Sequence, residues 1–348
     1  MGITHLSGLE VAGIPTMGMS GLPLTTGSVY FVDYVNGSDG NSGAADQPLQ
    51  TLYGAHYKMT AGQNDVAVIV GDGSTAATQR LSLANAQVLD PTASAGTLVW
   101  SKNACHIVGM CAPTMVSQRA RIAPPTGTYT MATFGSGNFV TVSASGCIFA
   151  NFSVFNGFST GGASQIAWTD SGGRNYYSNV MFGGAGDAAS AQSTSSRSLL
   201  ISGSTGEHTF DSCEFGLDTV TRTVANATLQ FSGGSPRNTF RGCNFSFQTS
   251  AATTLGIIVA AAAGIDRWQK FDRCTFINSI QSTSTTMNGL STLPASAGGL
   301  LLMTDCTLVG ITEFGTDATS RGQIYVDGAA PTAGTSGIAV NHTRWSNP

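Results

Sequence analysis

An internal repeat constrains this 348-residue chain more than any other feature. Three nineteen-residue segments align without a gap: residues 166–184 (IAWTDSGGRNYYSNVMFGG), 199–217 (LLISGSTGEHTFDSCEFGL) and 229–247 (LQFSGGSPRNTFRGCNFSF). One column through them holds Val180, Cys213 and Cys243. It runs back to Cys147 and on to Cys274 and Cys306, at spacings of 30–33 residues. Two residues after it stand Phe149, Phe182, Phe215, Phe245, Phe276 and Leu308. Three residues before it stand Tyr177, Phe210, Phe240, Phe271 and Met303. A fixed period of this length marks a chain wound into a solenoid, each coil burying its apolar face on the next.

The local pattern says what kind of coil. Short apolar runs (LLIS, TLQF, LGIIVA, GLLLM) are separated by Gly, Ser, Asn and Thr, and nothing between them has a helical period. Side chains alternate along a strand, so the column and the position two residues on share one face, and that face points inward. The position three residues before has the wrong parity for the same strand. A bend is therefore expected at Asp211-Ser212, Arg241-Gly242 and Asp272-Arg273. The pattern predicts an all-β fold, a right-handed parallel β-helix with strands about 4.8 Å apart.

The two ends differ from the coils. Residues 29–55 (VYFVDYVNGSDGNSGAADQPLQTLYGA) read as a strand, a turn, then an apolar-spaced Leu49, Leu52 and Ala55. This fits a short amphipathic helix that closes an open solenoid end, which would otherwise present a free sheet edge. The Asn36–Asn41 cluster NGSDGN lacks EF-hand spacing and a terminal Glu, so it reads as a tight turn rather than a calcium loop. The expected organisation is an extended N-terminal arm over residues 1–27 and one β-helix domain over 28–348. That domain has an N-terminal cap at about 28–60 and a C-terminal cap at about 320–348, where Trp345 is available to cover the last coil. In the arm, Leu6, Leu9, Val11, Ile14, Met17, Met19 and Leu22 are strung between glycines and prolines, too apolar to float and too broken for a helix. Contact with another subunit or a partner protein would satisfy both facts, as would packing on the chain's own β-helix.

Composition bounds the function. Charged residues are 10% of the chain, against about 25% in ordinary domains. A net charge of −4 gives no basic footprint for nucleic acid, and no apolar stretch is long enough for a membrane span. The first Lys or Arg is Lys58, so no secretory leader is expected at the N-terminus. Seven cysteines without CxxC or His/Cys spacing read as free buried thiols, with neither metal nor cofactor expected.

An active site on a β-helix would need acids on adjacent coils, and hydrolases need two about 5–10 Å apart. The column two residues before the Cys column holds Ser178, Asp211, Arg241, Asp272 and Thr304, whose alternating charges suggest a register-pinning ladder on an outer face. The column five residues before it holds Asn175, His208, Asn238, Gln269 and Leu301, which suits stacked amides. One residue after the Cys column come Met181, Glu214, Asn244, Thr275 and Thr307, with a single acid. Asp170 aligns with Gly203 and Gly233 and has no counterpart in the neighbouring coils. No catalytic residue is expected. Were the chain an enzyme, the candidates would be Asp187, Glu214 and Asp218, in or near the loops that follow the column.

Taken together, the apolar arm, the VDYVNGSDG…QPLQTLYGA opening and coils such as FDSCEFGLDTVTR resemble virion proteins of tailed bacteriophages that have a pectin-lyase-like fold. The resemblance implies a head decoration (cement) protein on the capsid exterior, made in the host cytoplasm. It implies a homotrimer whose arm touches the major capsid protein. No catalytic motif is carried over. A tailspike-like polysaccharide depolymerase and a non-catalytic adhesin for host surface glycan are the alternatives.

Overall fold

The computed structural model describes residues 27–71, 98–123, 137–157, 165–191, 193–224, 226–250, 258–279, 287–316 and 318–326, with five two-residue strands at 10–11, 14–15, 81–82, 331–332 and 337–338. Each coil lays down three strands. In one coil these are Ile166–Asp170, Tyr176–Ser178 and Met181–Gly183. The next places Arg197–Ile201, Thr209–Asp211 and Glu214–Phe215 beside them, all in parallel pairing. Repetition builds three parallel sheets. The first, of ten strands, contains Tyr176–Ser178; the second contains Met181–Gly183; the third contains Ile166–Asp170. The molecule is a parallel β-solenoid with little helix.

The chain passes from the first sheet to the second through one residue in the left-handed region. That residue is Asn151, Asn179, Ser212, Gly242, Arg273 or Asp305, at φ between 49° and 59°. Each immediately precedes the column residue of its coil, which is Phe152, Val180, Cys213, Cys243, Cys274 or Cys306. The expected bend is therefore present, and it reverses the parity of the face. The expected place of Cys147 and Phe149 is corrected: Phe149 pairs with Tyr177 and stacks on it at 4.9 Å, so it belongs to the aromatic column before the bend, and Cys147 falls opposite Asn175. Tyr177, Phe210, Phe240 and Phe271 from the first sheet, and Phe182, Phe215, Phe245 and Phe276 from the second, all point inward and are fully buried.

These rings form two continuous stacks. Tyr177, Phe210, Phe240 and Phe271 follow one another at 4.6 Å between centroids, nearly parallel from ring to ring. Phe182, Phe215, Phe245 and Phe276 follow at 5.0, 4.5 and 4.7 Å. The spacing is that of neighbouring strands, so backbone pairing and ring stacking impose the same register. The Cys column sits at the corner beside them. The thiols of Cys243, Cys274 and Cys306 each lie 3.5 Å from the carbonyl of the preceding coil's aromatic residue, Phe210, Phe240 and Phe271. All seven cysteines are free, and all but Cys111 are buried.

The N-terminal end is closed by helix Leu52–Lys58, whose N-cap Thr51 accepts from the Gly54 amide at 2.9 Å. Leu49, Leu52, Ala55 and Met59 join the core and cover its first coil. The NGSDGN turn is tied to this helix: the Asp39 carboxylate accepts from the Gln50 and Thr51 amides and the Thr51 hydroxyl. At the other end, Ala318–Arg321 is helical and Ile324–Val326 adds the last strand of the first sheet. Trp345 lies outside the described residues.

Of the arm's seven apolar side chains, Leu6, Leu9, Met17, Met19 and Leu22 also lie outside the described residues. Glu10–Val11 and Ile14–Pro15 pair antiparallel, with Val11 opposite Ile14.

Because Phe245 stacks between Phe215 and Phe276 with no exposed surface, Phe245→Ala is expected to cost about 3–5 kcal/mol. Urea denaturation checks this; a loss below about 1 kcal/mol would show that the stack is not continuous.

Candidate functional site

Glu214 and Phe215 form a strand of the second sheet, where Glu214 pairs with Met181 on one side and Asn244 on the other. Glu214 was expected in or near a loop; it stands instead on the strand itself, on the outer face, yet only 2% exposed. The reason is parity: Phe215 takes the inward position, and Glu214 is then covered from outside. Its carboxylate accepts from Asn244 Nδ2 at 2.6 Å and from the Ser246 hydroxyl, both on the following coil. Burial pushes its pKa up to about 7, against the pull of those two hydrogen bonds, and the negative charge of Asp218 adds to the rise.

Asp218 is exposed in the turn after this strand. Asp187 stands half-buried at the start of helix Ala188–Ala191, its carboxylate accepting from the Ala189 amide at 3.1 Å. Asp218 thus bears on Glu214 through its charge, and Asp187 has a helix-starting role. A buried carboxyl titrating near neutrality beside an exposed one can hold and release a proton at working pH, which is what a general acid requires.

A second cluster escaped the sequence reading. Asp170 lacks counterparts in neighbouring coils but not partners: fully buried, it accepts from the Tyr177 hydroxyl at 2.5 Å, Asn175 Nδ2 at 3.0 Å and the Gly172 amide at 2.8 Å. Trp168 Nε1 donates to Tyr177 at 3.1 Å. His208 Nδ1 lies 3.5 Å from Asp170 and accepts from the Asn175 amide at 3.3 Å. A nitrogen that accepts an N–H carries no proton, which agrees with burial holding His208 below the usual imidazole range. The cluster is sealed inside the coil and orders the corner between the third and first sheets.

The polar columns behave as ladders. Asn175 Oδ1 accepts from the Cys147 amide at 2.9 Å, Asn238 Oδ1 from the His208 amide at 2.9 Å, and Gln269 Oε1 from Asn238 Nδ2 at 2.7 Å. On the outer face Ser178, Asp211, Arg241, Asp272 and Thr304 stand in register, with Arg241 Nη2 at 2.6 Å from Asp211. Glu207 is bound by Arg174 at 2.8 Å and by Arg237.

No protein-family model matches the chain, and no curated protein matches it in sequence. Solved structures do match in shape. A pectin methylesterase variant in complex with a hexasaccharide is 14% identical, with 84% of this chain and 82% of that one covered and a TM-score of 0.53. The pectate lyase Pel9A is 13% identical over 87% of this chain and 68% of that one, with a TM-score of 0.55. The chain therefore has the pectin-lyase-like right-handed parallel β-helix fold.

Glu214 makes a pH prediction with a definite sign. A carboxyl raised from 4.5 to about 7 binds its proton more tightly folded than unfolded, so its contribution falls as pH rises through that interval. Glu214→Gln should therefore be more stable relative to the parent at pH 8 than at pH 5, by about 2–3 kcal/mol. His106, lowered by burial to about 4, and His208 act oppositely below pH 6.5 in both proteins and cancel in the comparison. Urea melts of both proteins at the two pH values measure the difference; none would mean that Glu214 is solvated.

Proposed function

We propose that this chain is a structural virion protein of a tailed bacteriophage, a rigid shaft on the capsid exterior that performs no catalysis. It assembles as a homotrimer, held to the major capsid protein by residues 1–27. The observation that carries this reading is where the acids go. Asp39 ties the cap, Asp170 the interior corner, and Asp211 and Glu207 the outer ladders between coils. These carboxylates hold coils in register rather than converge on a groove. The low charge supports the same reading, because a surface rich in Ser, Thr, Ala and Gly tolerates packing against sister subunits. The resemblance of the opening and the coils to phage virion proteins supports the location.

Glu214 beside Asp218 favours a second reading, a polysaccharide depolymerase in which Glu214 is the acid. The pectin methylesterase and pectate lyase that share the fold make a glycan the natural substrate under that reading. A non-catalytic adhesin for host surface glycan would bind without turnover.

In solution, light scattering is expected to give three times 35.6 kDa, and a truncation lacking residues 1–27 is expected to lose capsid occupancy. Full occupancy by the truncated protein, or density for the chain at the tail tip in an intact virion, would overturn the reading. New reducing ends or unsaturated sugars released from host surface glycan, and abolished by Glu214→Gln or Asp218→Asn, would establish the depolymerase instead.

A further inference from the structure

Two arginines in the corner between the second and third sheets have no counter-charge among the described residues. Arg197 opens strand Arg197–Ile201, and Arg222 closes the short strand Thr221–Arg222 in the loop before the next coil. They are 7% and 4% exposed. Thr228 joins them: its carbonyl accepts from the amides of Ser198 and Leu199 at 2.9 and 3.0 Å, and its hydroxyl accepts from Arg222 Nη1 at 3.1 Å.

Arg197 donates through Nε to Gln230 Oε1 at 2.9 Å, and through Nη1 to the carbonyls of Thr194 and Ser196 at 2.8 and 2.7 Å. Among the described residues the Arg222 guanidinium is otherwise held by the Phe247 ring alone, 5.6 Å from its guanidinium carbon. Arg197 Nη2 and Arg222 Nε and Nη2 therefore have no acceptor among the described residues, where neither guanidinium has an ion pair either. Asp218, four residues before Arg222, is exposed and makes no ion pair among those residues.

Burial brings both guanidiniums down to about 10, and the charge of Arg197 adds to the effect on Arg222. Both stay protonated at neutral pH. Two like charges mostly withdrawn from water are unfavourable, and an anion at their unpartnered N–H groups would compensate them. The planar donor fork of a guanidinium matches oxyanions.

We propose that Arg197 and Arg222 form a binding site for one oxyanion, a carboxylate, sulfate or phosphate group, held between the unpartnered N–H groups of the two side chains. The site is independent of the capsid role and of Glu214.

Thermal melts in sodium sulfate, sodium phosphate, sodium acetate and sodium chloride at matched ionic strength test it, and comparing the first three tells tetrahedral from planar oxyanions. At least one oxyanion is expected to raise Tm above the chloride value by about 2–4 °C at tenfold saturation, and Arg222→Gln is expected to abolish the difference. Sulfate stabilises proteins generally by exclusion from their surface, so an equal rise in Arg222→Gln would overturn the site, as would no oxyanion exceeding chloride. Should that variant not fold, a crystal of the unaltered protein grown in selenate decides. Anomalous density between the two guanidiniums is expected; water or the Asp218 carboxylate in that place would overturn the proposal.

Discussion

The left-handed residue at each corner between the first and second sheets is the constraint on which the rest depends. It turns the chain within a single residue and reverses which side chains face inward, so the aromatic three positions before the column and the one two positions after it enter the same core. A non-glycine residue in this region costs about 1–2 kcal/mol, and the chain meets that cost at five of the six corners. What offsets it is the ladder. The bend amides of Asn151, Asn179, Ser212, Gly242 and Arg273 donate at 2.8–3.0 Å to the carbonyls of Ser178, Asp211, Arg241, Asp272 and Thr304 on the next coil. The strained residue is thereby part of the inter-coil pairing rather than an interruption of it.

Once the corners repeat, everything stacked on them repeats at strand spacing. Rings stack on rings, thiols reach the carbonyls of the coil before, and amides cap amides. The same geometry governs charge: like charges in one outer column would sit on adjacent strands and repel. Asp211 is answered by Arg241, and Glu207 by Arg174 and Arg237. A column of this kind is a poor place to gather two acids and a good place to fix register. Glu214 departs from the pattern, since its neighbours Asn244 and Ser246 are neutral and its carboxyl is covered.

The inward columns were legible because they repeat. Cys213, Cys243, Cys274 and their flanking aromatics each carry the same physical demand in successive coils, and the parity conflict located the bend at Ser212, Gly242 and Arg273. The cap was legible from the spacing of Leu49, Leu52 and Ala55. Single occurrences were not. Asp170 aligns with glycines, so nothing in a repeat reading shows that Tyr177, Asn175 and His208 converge on it. Glu214 sits beside the column, but burial of an outward-facing side chain depends on what lies over it, which no periodicity records. Arg222 is tied through Thr228 to the backbone beside Arg197, across a loop whose path the repeat does not set.

The account requires the Cys column to be sealed within a solenoid that opens as one body. Native-state thiol labelling, read site by site by mass spectrometry, tests this most directly. Cys213, Cys243, Cys274 and Cys306 of the column, and Cys147 inside an earlier coil, should react together and only at the rate of global unfolding, their thiols buried and, at Cys147, Cys243 and Cys274, pushed up by that burial. Fast modification of any of the five in the folded protein would contradict the stacked interior.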